Sequence, residues 1–401
     1  MTRPAAADLL TRHRDLLDER PDVDVDDDDD VIASTPLSAR GWSPFLLALD
    51  DKELEALEAH GVDARWTSAP PSLLSFVEDV RAAVALPTLT DGGPELVARR
   101  HERPSKQRQI DAFARLVAPH AARAARVVDV GSGHGHLTRA LAEAMGLPVV
   151  GLERDPAIAS RAQELSSNPA VSFAITDVVR EGLAVRGADC VVGLHACGEL
   201  GDLVARGLAA STGPAAMVFV GCCLQKQRAP TRRPLCDDDD DVTLPKALLG
   251  LSNLTPRDDG VEASRIDNLA ARTRRIALRL LLAASGIVVR SRAELEGLNR
   301  RAAHDPLPVL VARVYERRGL SLPSAAQIDD AGRRAEVLHA SFRRLALPRT
   351  LLARVIEVFV LLDRARYLEQ HGFDVAAGVL FPADVSPRNL ALVAARTGSD
   401  V

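Results

Sequence analysis

The run VVDVGSGHGHL sets Asp129, Gly131, Gly133 and Gly135 at every second position. Glycines in a strand-to-helix turn let the backbone approach a ligand closely and leave the first amides of the helix to meet it. The spacing separates ligand classes. A dinucleotide fingerprint needs G-x-G-x-x-G, but His136 stands where its third glycine would be, and no Gly-Lys-Ser/Thr of a phosphate loop occurs. Asp129 can oppose an ammonium group, directly or through water. Glu153, 24 residues further on, ends a second apolar run, where a carboxylate can accept from both hydroxyls of a ribose. Asp177 ends a third run, where it can accept from an amino group of a base; alone it also reads as a turn residue.

Two further run ends carry reactive groups. GLHACGELGDL brings His195, Cys197 and Gly198, and VGCCLQK brings Cys222, Cys223 and Lys226. His195 is a candidate general base, since an unperturbed imidazole titrates near neutrality, or a partner in a structural hydrogen bond. The cysteines can pack strand ends, touch a substrate, attack an acceptor ring, or hold zinc with His195. Adjacent Cys222 and Cys223 are poor joint zinc ligands and the chain has no C-x-x-C, so no metal site is expected.

These residues need a sheet to position them. Short β-branched runs at 126–131, 147–153, 170–177, 188–196 and 215–223 alternate with helical patterns, which implies βαβ units and a parallel sheet. Runs at 373–381 and 389–396 close it, after a helical pattern over 354–372. The expected architecture is α/β: a seven-stranded sheet with a helical N-terminal region (1–98), core strands one to five (99–223), a mainly helical insertion after the fifth strand (224–353), and a C-terminal helix with the closing strands (354–401). The N-terminal region and the insertion are expected to form a cap that selects the substrate.

The chain has 401 residues, 47% hydrophobic and 26% charged, as in ordinary globular proteins. No apolar run reaches the roughly 18 residues of a membrane span, and no secretory signal opens the chain, so a cytoplasmic protein without a membrane partner is expected. Five cysteines, an odd number in such a context, argue against a disulfide framework or a disulfide-linked partner. Of 50 basic residues 46 are Arg, while aspartates 22, 24, 26–30 and 237–241 form two acidic tracts. Without these twelve the net charge of −5 becomes +7, so a polyanionic partner is admissible. Thirteen aromatic residues are too few for a broad base-stacking platform.

The Asp-x-Gly-x-Gly-x-Gly spacing, with Glu153 and Asp177 at the next two strand ends, resembles that of class I S-adenosylmethionine-dependent methyltransferases, which have a Rossmann-like fold. More specifically, HACGELGDL followed by VGCCLQK resembles the methyltransferase-like protein 25 family. Trp42 with Phe45-Leu46, Ser105-Lys106-Gln107, Leu361-Leu362-Asp363-Arg364, Tyr367-Leu368 and Ser386-Pro387-Arg388-Asn389-Leu390 extend the resemblance along the chain. Departures are the shortened Pro104-Ser105-Lys106 segment and Leu224 in place of an aromatic residue after Gly-Cys-Cys. The resemblance implies S-adenosylmethionine bound by Asp129, Gly131, Gly133, Gly135, Glu153, Asp177 and His195, with His195, Cys197, Cys222 and Cys223 as catalytic candidates. The favoured acceptor is RNA or a ribosome-associated protein; the alternative is a non-catalytic RNA- or ribosome-binding protein that keeps the fold. Ser386-Pro387-Arg388-Asn389 reads as a turn, with Arg388 a candidate for a substrate phosphate or carboxylate.

Overall fold

Short, continuously apolar strands joined by amphipathic helices bury both their faces only when helices cover both sides of a parallel sheet. The computed structural model, which describes residues 3–19, 35–89, 104–213, 215–236, 242–253, 265–287, 289 and 293–396, has that arrangement. The strands are β1 (Arg126–Val130), β2 (Val149–Glu153), β3 (Val171–Ile175), β4 (Asp189–Cys197), β5 (Ala216–Cys222), a short pair β6 (Thr231–Arg232) and β7 (Leu244–Pro245), then β8 (Asp374–Val379) and β9 (Leu390–Ala395). The main sheet has seven strands in the order β3-β2-β1-β4-β5-β9-β8, all parallel except β9, which runs antiparallel to both neighbours. Strand order reverses between β1 and β4, the switch point outside which ligands bind in open α/β sheets.

On one face, helices Pro104–Ala121 and His136–Met145 pack Phe113, Val117 and Leu141 against Val127, Val192 and Val218. On the other, helices Leu200–Ala209 and Leu347–Gln370 pack Val204, Leu208, Val358 and Leu361 against Val191, Phe219 and Leu392. All seven expected strands of the main sheet are present.

The insertion opens on a Pro- and Arg-rich stretch before its helices. Thr231–Arg232 and Leu244–Pro245 pair as a short antiparallel ribbon, β6 with β7, in a stretch where Pro230, Pro234 and Pro245 disfavour helix. The helices Arg265–Ala284, Leu307–Arg318 and Ala325–Leu345 follow. The chain divides by packing into one unit of residues 1–12, 80–259 and 352–401 and a second of 13–79 and 260–351. The second unit is tied across its two segments by Arg343, whose guanidinium donates to both oxygens of Glu58 at 2.8 and 3.0 Å, and by Arg344, which donates to Asp51 and the Leu49 carbonyl. The acidic tracts at 22–30 and 237–241 lie outside the described residues. Among the described residues no helix is long and apolar enough to cross a membrane.

Candidate functional site

Asp129 is the last residue but one of β1, and Gly131, Gly133 and Gly135 follow the strand with φ of 74°, 54° and 74°, a left-handed backbone that side chains with a Cβ disfavour. The glycines are not equivalent. A Cβ at Gly133 meets nothing within 4 Å and one at Gly131 only Leu200 at 3.8 Å, whereas one at Gly135 would stand 2.3 Å from the Phe173 ring. The first two border open space over the loop, and the third is required by packing. The Ser132 hydroxyl between them is buried without a hydrogen-bond partner.

Glu153, at the end of β2, is tied to this loop. Its Oε2 accepts from the Gly133 N–H at 3.0 Å, and its Oε1 accepts from the Asp155 N–H at 3.0 Å. Asp155 in turn caps helix Pro156–Glu164. Asp177 follows β3 and caps the short helix Val178–Glu181, its Oδ1 accepting from the Val179 N–H at 3.1 Å. Asp129 is 2% exposed and its Oδ2 accepts from the Thr138 hydroxyl at 2.7 Å. Burial pushes its pKa up to about 6, against the opposing pull of the Thr138 hydrogen bond and the Lys106 charge.

The ends of β4 and β5 are irregular in a concerted way. The β4–β5 register slips between Leu194 and Ala196, and His195, in that bulge, has φ of 61°. Cys223, just past β5, has φ of 45°. With Ser68 these are the only described non-glycine residues of positive φ, and such strained conformations gather at functional sites. Gly198, at φ 65°, leads out of β4: its N–H donates to the Cys222 carbonyl at 3.0 Å, and a Cβ there would lie 1.5 Å from the Lys226 carbonyl oxygen.

The His195 Nε2 lies 2.7 Å from Oε1 of Gln109, on helix Pro104–Ala121. The Gln109 amide NH2 donates to the Val385 carbonyl at 3.0 Å, and the Ser105 hydroxyl donates to the same carbonyl at 2.9 Å. Burial pushes the His195 pKa down to about 4, with the Lys106 and Arg388 charges acting in the same direction. The ring is therefore neutral at neutral pH.

Cys197, Cys222 and Cys223 place their sulfurs within 4.8 Å of one another. Cys197 and Cys222 are direct partners in the β4–β5 ladder with sulfurs 3.1 Å apart; the Cys222 thiol reaches the His195 carbonyl at 2.9 Å, and Lys226 Nζ donates to the Cys197 sulfur at 3.7 Å. Hydrogen bonds from Cys197 and Cys222, together with Lys226 and Arg388, hold the Cys223 thiol well below the usual range, while those to Cys197 and Cys223 and its own burial push Cys222 up. The other two cysteines lie elsewhere. Cys190 is fully buried in β4, which pushes its thiol up to about 12, and Cys236 donates to Asp363 at 3.2 Å.

Arg388 is 9% exposed and donates to Glu357 at 2.7 Å, while its N–H donates to the Ser386 hydroxyl within the 386–389 turn. Asp363 is fully buried and accepts from Arg3, Arg232 and the Leu235 N–H. Arg364 donates to Asp202 at 2.7 Å and to the Gly198 carbonyl at 3.3 Å, which braces the loop after β4. Sequence reasoning missed Gln109. Its position one helical turn after Ser105 was the available signal, because residues four apart share a helix face.

Residues 105–230 match a family model described as a methyltransferase domain. That stretch is similar to a methyltransferase domain. The solved structures similar to this chain include a TehB-like S-adenosylmethionine-dependent methyltransferase from Corynebacterium glutamicum, at 25% identity over 27% of this chain and 61% of that one, with a TM-score of 0.22. A putative S-adenosylmethionine-dependent methyltransferase from Methanococcus maripaludis is similar at 16% identity over 32% of this chain and 68% of that one, with a TM-score of 0.24. The sugar N-methyltransferase KedS8 from Streptoalloteichus is similar at 18% identity over 34% of this chain and 60% of that one, with a TM-score of 0.23.

Proposed function

We propose that this protein is an S-adenosylmethionine-dependent methyltransferase whose cofactor lies across the loop after β1 and the ends of β2 and β3. The observation that carries the reading is the join between that loop and Glu153: two left-handed glycines facing open space, one of them donating its N–H to the carboxylate at 3.0 Å. A Cβ at Gly131 or Gly133 would enter the space a ligand needs, and the orphaned Ser132 hydroxyl offers a polar contact at the same loop. When bound, the cofactor supplies a sulfonium-activated methyl group.

The protein's residues would divide the work as follows. The loop amides and Glu153 hold the sugar end, and Asp177, with Oδ1 committed to its helix cap, has Oδ2 for the base. Asp129, buried behind Thr138, opposes the positive end of the ligand across an intervening group. Gly131, Gly133 and Gly135 shape the cradle. His195, neutral with Nε2 held by Gln109, offers Nδ1 to accept a proton from the acceptor. The sheet ends hold the two reactants in line, which is the main catalytic contribution open to a protein when the leaving group needs no acid.

The motifs shared with the methyltransferase-like protein 25 family support placing the chain in that family, and the arginine-rich body supports an acceptor on RNA or a ribosome-associated protein in the cytoplasm. The test is incubation of the purified protein with methyl-labelled S-adenosylmethionine and extract from a deletion strain, then nuclease or protease digestion. Label released by nuclease or protease supports an RNA or a protein acceptor respectively. No label in either fraction contradicts transferase activity and favours a binding protein that keeps the fold.

A further inference from the structure

The thiol cluster at the ends of β4 and β5 has the geometry of a metal site. In an extended strand successive side chains point to opposite faces, so adjacent cysteines cannot normally serve one ion. Here the left-handed backbone of Cys223 breaks that alternation, and its sulfur joins those of Cys222 and of Cys197 on the neighbouring strand. We propose that Cys197, Cys222 and Cys223 bind a single Zn2+ ion through three thiolates. This goes beyond methyl transfer and does not rest on it.

Three observations carry the proposal. With zinc–sulfur bonds of about 2.3 Å, tetrahedral geometry sets neighbouring sulfurs about 3.8 Å apart. The three sulfurs here lie within 4.8 Å of one another, those of Cys197 and Cys222 at 3.1 Å, so small side-chain rotations span the required distance. Second, three thiolates and one divalent cation carry a net charge of −1, and the positive charge of Lys226, 3.7 Å from the Cys197 sulfur, is placed to offset it. Soft thiolates also select zinc over hard cations. Third, among the described residues the donor set stops at three. Structural zinc sites close with four protein ligands, whereas sites that present an exchangeable water or substrate atom keep one position open. Cys222 and Cys223 line a cavity with Gly221, Arg354, Glu357 and Arg388, which gives a fourth ligand access. His195 is not counted in that set: its Nε2 is engaged with Gln109, and its ring nitrogens do not join the three sulfurs.

Binding releases the protons of whichever thiols are not already ionised, and no oxidation state changes. The test uses the full-length chain purified under reducing conditions, loaded with Zn2+, desalted, and measured for metal by mass spectrometry. The expected result is one equivalent of zinc, falling at least tenfold in Cys223→Ser and Cys197→Ser and remaining in Cys190→Ala. Replacement by Co2+ should give the near-ultraviolet band of thiolate-to-cobalt charge transfer. Because the serine variants could unfold, the wild-type protein is also alkylated with iodoacetamide in the presence and absence of Zn2+. Protection confined to peptides carrying Cys197, Cys222 and Cys223 supports the site. Less than stoichiometric zinc in fully reduced protein overturns it, as does equal zinc in all variants or a Cys197–Cys222 disulfide in place of bound metal.

Discussion

The Nε2 of His195 lies 2.7 Å from Oε1 of Gln109, and this contact fixes the tautomer of the histidine. The Val385 carbonyl can only accept, so it takes the amide NH2 of Gln109 and leaves Oε1 facing the ring. Nε2 must then carry the proton, and Nδ1 holds the lone pair. At neutral pH this imidazole is neutral with its Nδ1 lone pair available, while its lowered pKa makes it a weak base.

Replacing Gln109 separates these roles. Gln109→Leu removes the acceptor, frees the tautomer, and should lower turnover about 10- to 100-fold with cofactor affinity unchanged. Gln109→Glu sets a carboxylate against Nε2, which stabilises the imidazolium and raises the His195 pKa above its value of about 4. Histidine NMR titration reads the shift directly. An unaltered titration and unaltered turnover in both variants would make the contact purely structural.

Asp129 should trade stability for binding. Its folded pKa of about 6 lies above the ordinary 3.8, so its stabilising contribution is complete below about pH 3.8 and is lost as pH rises through 6. Asp129→Asn removes the cost of burying the ion, and it should stabilise the free protein at pH 8 by an amount on the order of 3 kcal/mol while weakening cofactor binding. In the wild type, affinity for the cationic cofactor should decline as pH falls through 6. Thermal melts and calorimetry across pH 5–8 check both; a destabilised Asn variant contradicts the assignment.

The Asp202 carboxylate is partly buried, which raises its pKa, yet Arg232 and Arg364 hold it down to about 2. A depressed pKa means that its stabilisation is present above about pH 3.8 and is lost as pH falls through 2. Asp202→Ala leaves two guanidiniums without their shared partner and should cost about 3–5 kcal/mol at pH 7 in chemical denaturation. A loss below 1 kcal/mol would show that the network contributes little.

Gly198→Ala meets two obstacles, a φ of 65° and a Cβ placed 1.5 Å from the Lys226 carbonyl oxygen. Backbone must move, so the variant should lose about 3 kcal/mol or more, and the thiols of Cys197 and Cys222 should become more reactive to alkylation. Wild-type stability and reactivity would mean that the two loops are not coupled through this contact.

The sheet was legible because its signals are local: five β-branched runs, each punctuated by glycine or a carboxylate, and two closing runs after a long helix. The loop after β1 was legible for the same reason, since the spacing of Gly131, Gly133 and Gly135 is itself the signal. The ribbon β6–β7 and the joining of residues 13–79 with 260–351 were not. Both depend on contacts between distant segments, such as Arg343 with Glu58, that leave no periodicity in either. The same holds at the site. Composition located the cysteines, but only the bulge at His195 and the left-handed Cys223 bring three sulfurs together and separate them from Cys190 and Cys236. Gln109 was missed because its place one turn after Ser105 names no partner, and its role depends on a carbonyl 276 positions away.

The central claim is that the loop after β1 and Glu153 form a binding site for S-adenosylmethionine, and isothermal calorimetry on the full-length protein tests it most directly. One molecule should bind the wild type. Glu153→Ala, which deletes the carboxylate from the ribose position and from the Gly133 amide, should bind at least 100-fold more weakly while remaining folded by circular dichroism. No heat of binding with the wild type, or near-wild-type affinity in folded Glu153→Ala, would contradict the account.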